Sequence, residues 1–306
     1  MKREIMPHKF DTLTEAHRAF GLPNPKHPLI TVINGRQMMT AHEQMPTPHV
    51  LNFFKISYKP KLSGRIKYGQ GYYDFDEGGL LFAAPNQIIG NMDDHDIATC
   101  SDFAVLIHPD FLLGHPLSKK IKQYGFFSYS ANEGLHLSDE EKTTVLSIFQ
   151  MIENELNSRI DDFSHDVILS QLELLLNFSN RFYKRQFITR KAVSNDLLSK
   201  LEKLLDEHFD QHQNSQQGLP TVAQLADHLN VSPSYLSDML RSLIGQNAQQ
   251  FIHSKLIDKA KEKLSTTSLS VSEVAFELGF EHSQSFSKLF KTKTKLSPLE
   301  FRRSFN

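Results

Sequence analysis

The feature that most constrains this chain is residues 270–302, which read SVSEVAFELGFEHSQSFSKLFKTKTKLSPLEFR. Ser270 and Glu273 form a capping box, a pattern that marks the start of a helix. The apolar residues that follow at helical spacing give this helix one buried face: Val274, Ala275 and Leu278. Gly279 then ends the helix, because glycine readily adopts the left-handed backbone that a sharp turn requires. The stretch is therefore predicted to be a helix-turn-helix.

A second helix is predicted from about Ser283, and its two faces differ in chemistry. Its inner stripe consists of Phe286, Leu289 and Phe290. The outer face is polar and basic, which suits a helix in the major groove of DNA, because amides read base edges while ammonium groups hold phosphates. The residues predicted to contact DNA here are His282, Ser283, Gln284, Ser285, Lys288 and Lys291. The alternative is an ordinary helical hairpin in a protein core.

The same pattern occurs once more upstream, so the chain contains an internal repeat. Thr221 and Gln224 form another capping box, followed by an inner stripe like that of the first. After a turn at residues 230–231, Ser232 caps a helix that Gly245 stops. The residues predicted to contact DNA in this upstream unit are Ser234, Tyr235, Ser237, Asp238 and Arg241.

Between the two copies, residues 247–264 read as one continuous helix with apolar residues along one side. A rigid helix there would fix the distance between the two units. Both units could then meet one face of a DNA duplex.

The second unit also contains an extended motif, G-F-x-x-x-x-x-F-x-x-x-F-K followed by S-P-x-x-[YF]-R. Its positions are Gly279, Phe280, Phe286, Phe290, Lys291, Ser297, Pro298, Phe301 and Arg302. With this motif, about the last third of the chain resembles the AraC family of transcription regulators. The resemblance implies a DNA-binding domain with two helix-turn-helix units.

Two positions depart from the family pattern. Lys295 stands where the family usually has glycine, a change expected to alter a turn. Asp238 stands where the family commonly has arginine, at the first unit's equivalent of Lys288. An anion at a groove-facing position predicts contact with a cytosine amine, or few base contacts at all.

The composition is that of an ordinary globular protein of 306 residues, a length that suggests two domains. Cys100 is the only cysteine, which excludes intramolecular disulfides and thiolate metal clusters. The first residues lack the apolar core of a signal peptide, and no apolar run approaches the roughly 20 residues of a membrane helix. We therefore expect a cytoplasmic protein with no membrane contact.

The net charge of −1 averages over segments of opposite character. Cations gather near the carboxyl end, at Lys288, Lys291, Lys293, Lys295, Arg302 and Arg303. Glu300 is the single acid among them. This local excess of positive charge is typical of duplex binding, although basic ends are often mere solvated surface.

Short apolar runs separated by glycine turns begin at about residue 50 and predict a small β-barrel or sandwich. A further strand is predicted at residues 102–108, and a helix near 109–113. The run DEGGLLFAAPNQ resembles the strand pair of a cupin barrel. Because sensor domains of AraC-family regulators are often cupin-like, the resemblance implies that this part binds a small-molecule effector.

An apolar barrel interior would suit a small molecule. Candidate ligand-binding residues are Phe53, Tyr58, Tyr68, Tyr72 and Phe82, about half of which should be plain core because strands alternate faces. Many cupins are instead metal enzymes with paired histidines, but His42, His49, His95 and His108 are scattered singly. No metal site, catalytic residue or cofactor is predicted.

Two helices are predicted after the strands, one from Ser138 and one over residues 164–187. The second has an apolar arc wider than one neighbour would bury, which favours a symmetric dimer, with burial inside one chain as the alternative. The residues predicted to mediate dimerisation are Ile168, Leu172, Leu175 and Leu176. The polar residues 189–196 are predicted to link the domains.

The predicted fold class is α+β, with an N-terminal cupin-like β-barrel with a helical segment and a C-terminal all-α domain with two helix-turn-helix units. The predicted domains are a sensor at residues 1–137, a dimerisation segment at 138–190 and a DNA-binding domain at 196–306. The expected function is transcription regulation through double-stranded DNA, with a small-molecule effector, a second copy of the chain and RNA polymerase as further partners. The alternatives are a metal-independent enzyme fused to a DNA-binding domain, or a regulator whose N-terminal part binds protein partners.

Overall fold

The computed structural model of the chain describes residues 8–35, 49–60, 66–68, 71–73, 78–89, 103–130, 133–159, 161–211 and 218–305. The chain divides into two compact units, Met1–Gln186 and Phe187–Asn306. The strands all lie in the first unit and are β1 (His8–Phe10), β2 (Ile30–Asn34), β3 (His49–Leu51), β4 (Phe54–Lys59), β5 (Ile66–Tyr68), β6 (Gly71–Tyr73), β7 (Gly79–Ala83), β8 (Ile88–Ile89), β9 (Phe103–Ile107) and β10 (Leu135–His136).

An antiparallel sheet with the strand order β10-β7-β4-β9-β2 forms the centre of the first unit. On β4, Ile56 lies between Phe82 of β7 and Val105 of β9. Side chains alternate faces along a strand, so Phe54, Ile56 and Tyr58 share one face and are buried there. The odd-numbered residues of β4 lie on the opposite face of the sheet.

A smaller sheet has the order β1-β3-β8, and β5 pairs with β6. The core beside this smaller sheet is largely aromatic and aliphatic. Its buried residues are Phe10, Leu13, Ala16, Phe20, Leu22, Ile33, Leu51, Phe53, Ala104 and Leu106.

Helices dominate the rest of the chain. They are α1 (Leu13–Ala19), α2 (Leu117–Lys120), α3 (Asp139–Asn157), α4 (Ser164–Thr189), α5 (Lys191–Gln211), α6 (Val222–His228), α7 (Pro233–Ile244), α8 (Ala248–Thr266), α9 (Val271–Glu277), α10 (Ser283–Thr294) and α11 (Pro298–Arg303). Short 3-10 turns at Pro109–Leu112, Ile121–Gln123 and Gly125–Ser128 link β9 to the later helices. No described helix is both long and apolar enough to cross a bilayer.

The predicted α+β class is confirmed, with strands in the first part of the chain and, among its described residues, helices alone in the last. The cupin-like barrel stays a prediction. The predicted linker at residues 189–196 is helical, since α4 continues to Thr189 and α5 begins at Lys191. Thr189, Asn195 and Asp196 are exposed, whereas Ser194 is buried and its hydroxyl donates to the Phe187 carbonyl at 3.2 Å.

The dimerisation residues on α4 also need correction. Ile168 is 3% exposed, and Leu172, Leu175 and Leu176 are fully buried within one chain. Side chains without exposed surface cannot meet a second copy, so these four residues are core. The exposed large apolar residues of the same helix are Val167, Leu174 and Ile188.

This burial predicts opposite outcomes for two matched substitutions on α4. Leu172→Asp should lower the free energy of unfolding by more than about 3 kcal/mol, because it places an unpaired charge in the core. Leu174→Asp should lower it by about 1 kcal/mol or less, because residue 174 is 41% exposed. Urea unfolding followed by circular dichroism gives both values, and similar losses in the two variants would contradict the burial of Leu172.

Candidate nucleic-acid interface

The first helix-turn-helix unit consists of α6 and α7. Thr221 caps α6 through a capping box with Gln224, as predicted. The turn forms because Asn230 adopts a left-handed backbone with φ 55° and the Val231 N–H donates to the Ala226 carbonyl at 3.0 Å. The Ser232 hydroxyl then accepts the Tyr235 N–H and starts α7.

The second unit repeats this geometry in α9 and α10. Gly279 has φ 88°, and the Phe280 N–H donates to the Ala275 carbonyl at 3.0 Å. A side chain at residue 279 would place its Cβ 3.1 Å from the Gly218 backbone, so both the left-handed conformation and the limited space favour glycine. His282 precedes α10 without a side-chain capping bond.

Both recognition helices, α7 and α10, also end in the same way. Gly245 ends α7 with φ 74°, and Lys295 ends α10 with φ 67°. The departure at Lys295 therefore keeps the turn that glycine would make, at the cost of holding a non-glycine residue in a left-handed backbone. The next helix is capped by Asn247 in the first unit and by Ser297 in the second.

Helix α8 joins the two units as one uninterrupted helix of 19 residues. At about 1.5 Å per residue it spans roughly 28 Å. Its buried side includes Leu256 and Ala260, and Lys263 Nζ lies 2.7 Å from Glu277 Oε2 at the end of α9. The predicted continuous helix between the repeats is confirmed, and it ties the second unit to the spacer through an ion pair.

Helix α10 buries one face completely and exposes the other. Phe286 and Phe290 are 0% exposed. Gln284, Lys288 and Lys291 are exposed and follow one another at spacings of four and three residues, so they share one outer face. His282 and Ser285 are also exposed, and Ser283 is half-buried. The structure thus brings the predicted contacts of the second unit to one end and one face of α10.

Helix α7 carries a different set of groups. Ser234, Ser237 and Asp238 are half-buried, whereas Arg241 is exposed. The Asp238 carboxylate accepts a hydrogen bond from Arg241 Nη1, one turn further along the same helix. The acid that departs from the family pattern is therefore partly neutralised by a neighbouring cation, although an exposed pair of this kind contributes little to stability.

Tyr235 is wrongly predicted as a DNA contact. Its side chain is 7% exposed, and its ring packs edge-on against Phe187 at 5.1 Å between centroids. Tyrosine can read as either a core or a surface residue, and position 235 lies where the inner stripe of α7 begins. Most of the phenol surface is therefore unavailable to a phosphate or a base.

Positive charge on the second unit is concentrated on one stretch. The exposed cations are Lys288, Lys291, Lys293, Lys295 and Arg303. Arg302 is not one of them, because it is half-buried and its Nε donates to the Leu264 carbonyl at 3.2 Å. Burial, and then the charge of Lys293, lower the pKa of His253, so this imidazole is neutral at neutral pH.

The predicted ligand residues are scattered in the N-terminal compact unit, Met1–Gln186. Phe53 is fully buried in the core beside the smaller sheet, and Tyr58 is buried on the inner face of β4. Phe82 lines an open cavity of about 490 Å³. The side chains of Tyr68 and Tyr72 lie outside the described residues. Phe53 is thus core, and Phe82 is the predicted ligand residue that the structure places on a cavity wall.

The sequence reasoning missed Lys55 and Lys59, which line the same cavity as Phe82. The signal was present in FKISYK, where Lys55, Ser57 and Lys59 alternate with apolar residues. A period of two puts these three side chains on one face of β4. Within the described ranges, no group of three or more His, Cys, Asp or Glu side chains is placed to hold a metal ion.

A family model described as a helix-turn-helix domain matches residues 225–304. The uncharacterised HTH-type transcriptional regulator YfiF of Bacillus subtilis (strain 168) is 24% identical over 262 residues, which cover 83% of this chain and 78% of the relative. The arabinose operon regulatory protein of Salmonella typhimurium is 35% identical over 101 residues, which cover 33% of this chain and 32% of that protein.

Among solved structures, the C-terminal domain of AraT, a response regulator from Geobacillus stearothermophilus, is 28% identical. It covers 35% of this chain and 84% of that chain, with a TM-score of 0.31. The match to the arabinose regulator spans about a third of this chain and about a third of that protein.

Gln284 and Lys291 should contribute differently to DNA binding. Gln284→Ala should relax the preference at one base pair and cost about 1–3 kcal/mol on the preferred duplex, because an amide reads a base edge. Lys291→Ala should weaken preferred and random duplexes alike, since an ammonium group contacts phosphate. Fluorescence anisotropy with both duplexes distinguishes the two effects. Equal losses on both duplexes for Gln284→Ala would remove Gln284 from the reading face.

Asp238→Asn should tighten binding to random duplex several-fold. The substitution removes an anion near the phosphates and releases Arg241 from its intrahelical pair, so the salt dependence should steepen by about one unit of log–log slope. Asp166→Asn makes the same charge change in the N-terminal compact unit, Met1–Gln186, and is the control. It should leave the affinity for random duplex and its salt dependence unchanged. If Asp238→Asn behaves like that control, Asp238 lies away from the DNA.

Proposed function

We propose that this chain, which carries an AraC-type helix-turn-helix domain at its carboxyl end, is a sequence-specific DNA-binding transcription regulator that acts in the cytoplasm. The observation that carries this proposal is the tandem arrangement of two helix-turn-helix units on α8. The second unit holds an exposed face that combines Gln284 with Lys288 and Lys291. Such a face has both the amide that reads bases and the cations that hold phosphates.

In the proposed mode of binding, α10 lies in the major groove with its amino-terminal half towards the bases. The Gln284 amide can pair bidentately with adenine, and Lys288, one turn further along, can reach guanine or a phosphate. Lys291 stands another turn away and holds the backbone. The aromatic pair Phe286 and Phe290 supports this face from behind, since both side chains are fully buried.

The spacer sets the proposed distance between the two contacts. Successive major grooves on one face of B-DNA lie about 34 Å apart, and α8 spans roughly 28 Å. One recognition helix can therefore enter each of two neighbouring grooves without rearrangement of α8. In this arrangement α10 supplies most of the phosphate contacts, and α7, with its Asp238–Arg241 pair, adds selectivity.

We also propose that the N-terminal compact unit, Met1–Gln186, controls the DNA-binding C-terminal one through a small-molecule effector. Two chains are proposed to act together. The exposed apolar residues Val167 and Leu174 of α4 offer a surface for a second copy, in place of the buried residues predicted from the sequence. A DNA-bound dimer would gain affinity through effective concentration. RNA polymerase is the further partner that a regulator of this kind would contact.

Selection of bound sequences from a pool of random duplexes tests the proposed function. We expect two blocks of preferred bases about ten base pairs apart, because each unit reads one major groove. Selection with the Lys288→Ala variant should yield duplexes that bind more weakly, and the base preference in one of the two blocks should be lost. Lys119→Ala, in the N-terminal compact unit Met1–Gln186, serves as the control and should select the same sequences as the parent protein. A pool that shows no enriched sequence with the parent protein would overturn the proposal.

A further inference from the structure

The cavity beside β4 lies entirely within the N-terminal compact unit, Met1–Gln186. Its volume of about 490 Å³ falls within the range of roughly 300–1,000 Å³ that is common for small-molecule pockets. One part of the wall is apolar and includes Leu81, Phe82, Ile88 and Phe126. Lys55 and Lys59 project from β4 into the same space. The cavity therefore combines an apolar surface with two cationic side chains.

Most other polar groups of this wall are already used by the protein. The Gln87 amide donates to the Phe127 carbonyl at 2.9 Å and accepts the Ala84 N–H at 2.8 Å. The Tyr183 hydroxyl donates to the Glu133 carbonyl at 3.1 Å, and the Glu133 carboxylate accepts the Ser130 N–H at 2.6 Å. These groups hold the wall together, and Lys55 is the cation of this wall that is left to recognise a charge.

Lys55 differs from its neighbours in its surroundings. Among the described residues, no ion pair or hydrogen bond holds its ammonium group. Burial, and then the nearby charge of Lys59, lower the pKa of Lys55 to about 8. A cation in a partly buried wall is costly without a compensating negative charge, and a bound anion would supply that charge.

We infer that this cavity binds a small organic anion, a carboxylate or sulfonate with an apolar body, whose charged group contacts Lys55 while its body packs on Leu81, which lies on the same face of the sheet, and on the neighbouring apolar wall. The inference rests on the proposed function in one respect, since it names the chemical class of the effector. Lys59 lies on the same face of β4 and adds positive potential at the charged end of the site.

Two fluorescent probes of the same shape but different charge test the inference on the full chain. Anilinonaphthalene sulfonate carries the anion and apolar body, and phenylnaphthylamine carries the body alone. Lys55→Gln should weaken binding of the sulfonate about tenfold, the effect of losing one charge-assisted hydrogen bond, and leave the neutral probe unchanged. Lys55→Arg should retain sulfonate binding, and Lys119→Gln, an exposed lysine elsewhere in the unit, should match the parent protein.

Three results would overturn the inference. They are sulfonate binding that Lys55→Gln does not weaken, equal loss of both probes in that variant, and absence of sulfonate binding to the parent protein. DNA binding by the same variants is measured in parallel and should equal that of the parent protein. A chain that binds the sulfonate through Lys55 but binds no DNA would disprove the proposed function and leave the anion site standing.

Discussion

The burial of Phe286 and Phe290 is the constraint on which the candidate interface depends. Both rings are 0% exposed, so the orientation of α10 about its own axis is fixed by the core behind it. Residues on the opposite side must then face outward, and in this chain they are an amide and two ammonium groups. Leu236 and Leu240, which are also fully buried, fix α7 in the same way. The interface is thus set by packing, and its chemistry by the residues that packing leaves outside.

Backbone conformation supplies the second constraint, because each unit must reverse direction within a few residues. Asn230 and Gly279 take the left-handed backbone at the two turns, and Gly245 and Lys295 take it at the two helix ends. The equivalent positions differ in residue type but share conformation. Asparagine and lysine accept some strain there, whereas the close approach of Gly218 further favours glycine at residue 279. Geometry is therefore repeated more strictly than sequence.

Local signals in the sequence predicted the C-terminal domain well, since caps, turns and apolar spacing act over a few residues. The capping boxes at Ser270 and Thr221 and the spacer α8 all appear in the structure. Longer-range questions were beyond the sequence. An apolar stripe does not distinguish a subunit interface from a core, as Leu172 shows, and an aromatic ring such as Tyr235 does not reveal which side packs. The cationic wall at Lys55 needed the pairing of β4 with β7, because a cavity is made by several elements.

The two recognition helices differ in how their charges are balanced, and this difference implies a division of labour. On α7, Arg241 is engaged by Asp238, so an approaching phosphate must compete with a carboxylate for the guanidinium. On α10, no described ion pair involves Lys288, so its ammonium group can meet phosphate without that competition, whereas Lys291 also interacts electrostatically with Glu300. In the proposed mode of binding, attraction to any duplex therefore acts mainly through the second helix-turn-helix unit. A DNA sequence that offers the first helix-turn-helix unit a compatible base pattern gains the additional contacts. Helix α7 is then the helix whose contribution depends most on the DNA sequence.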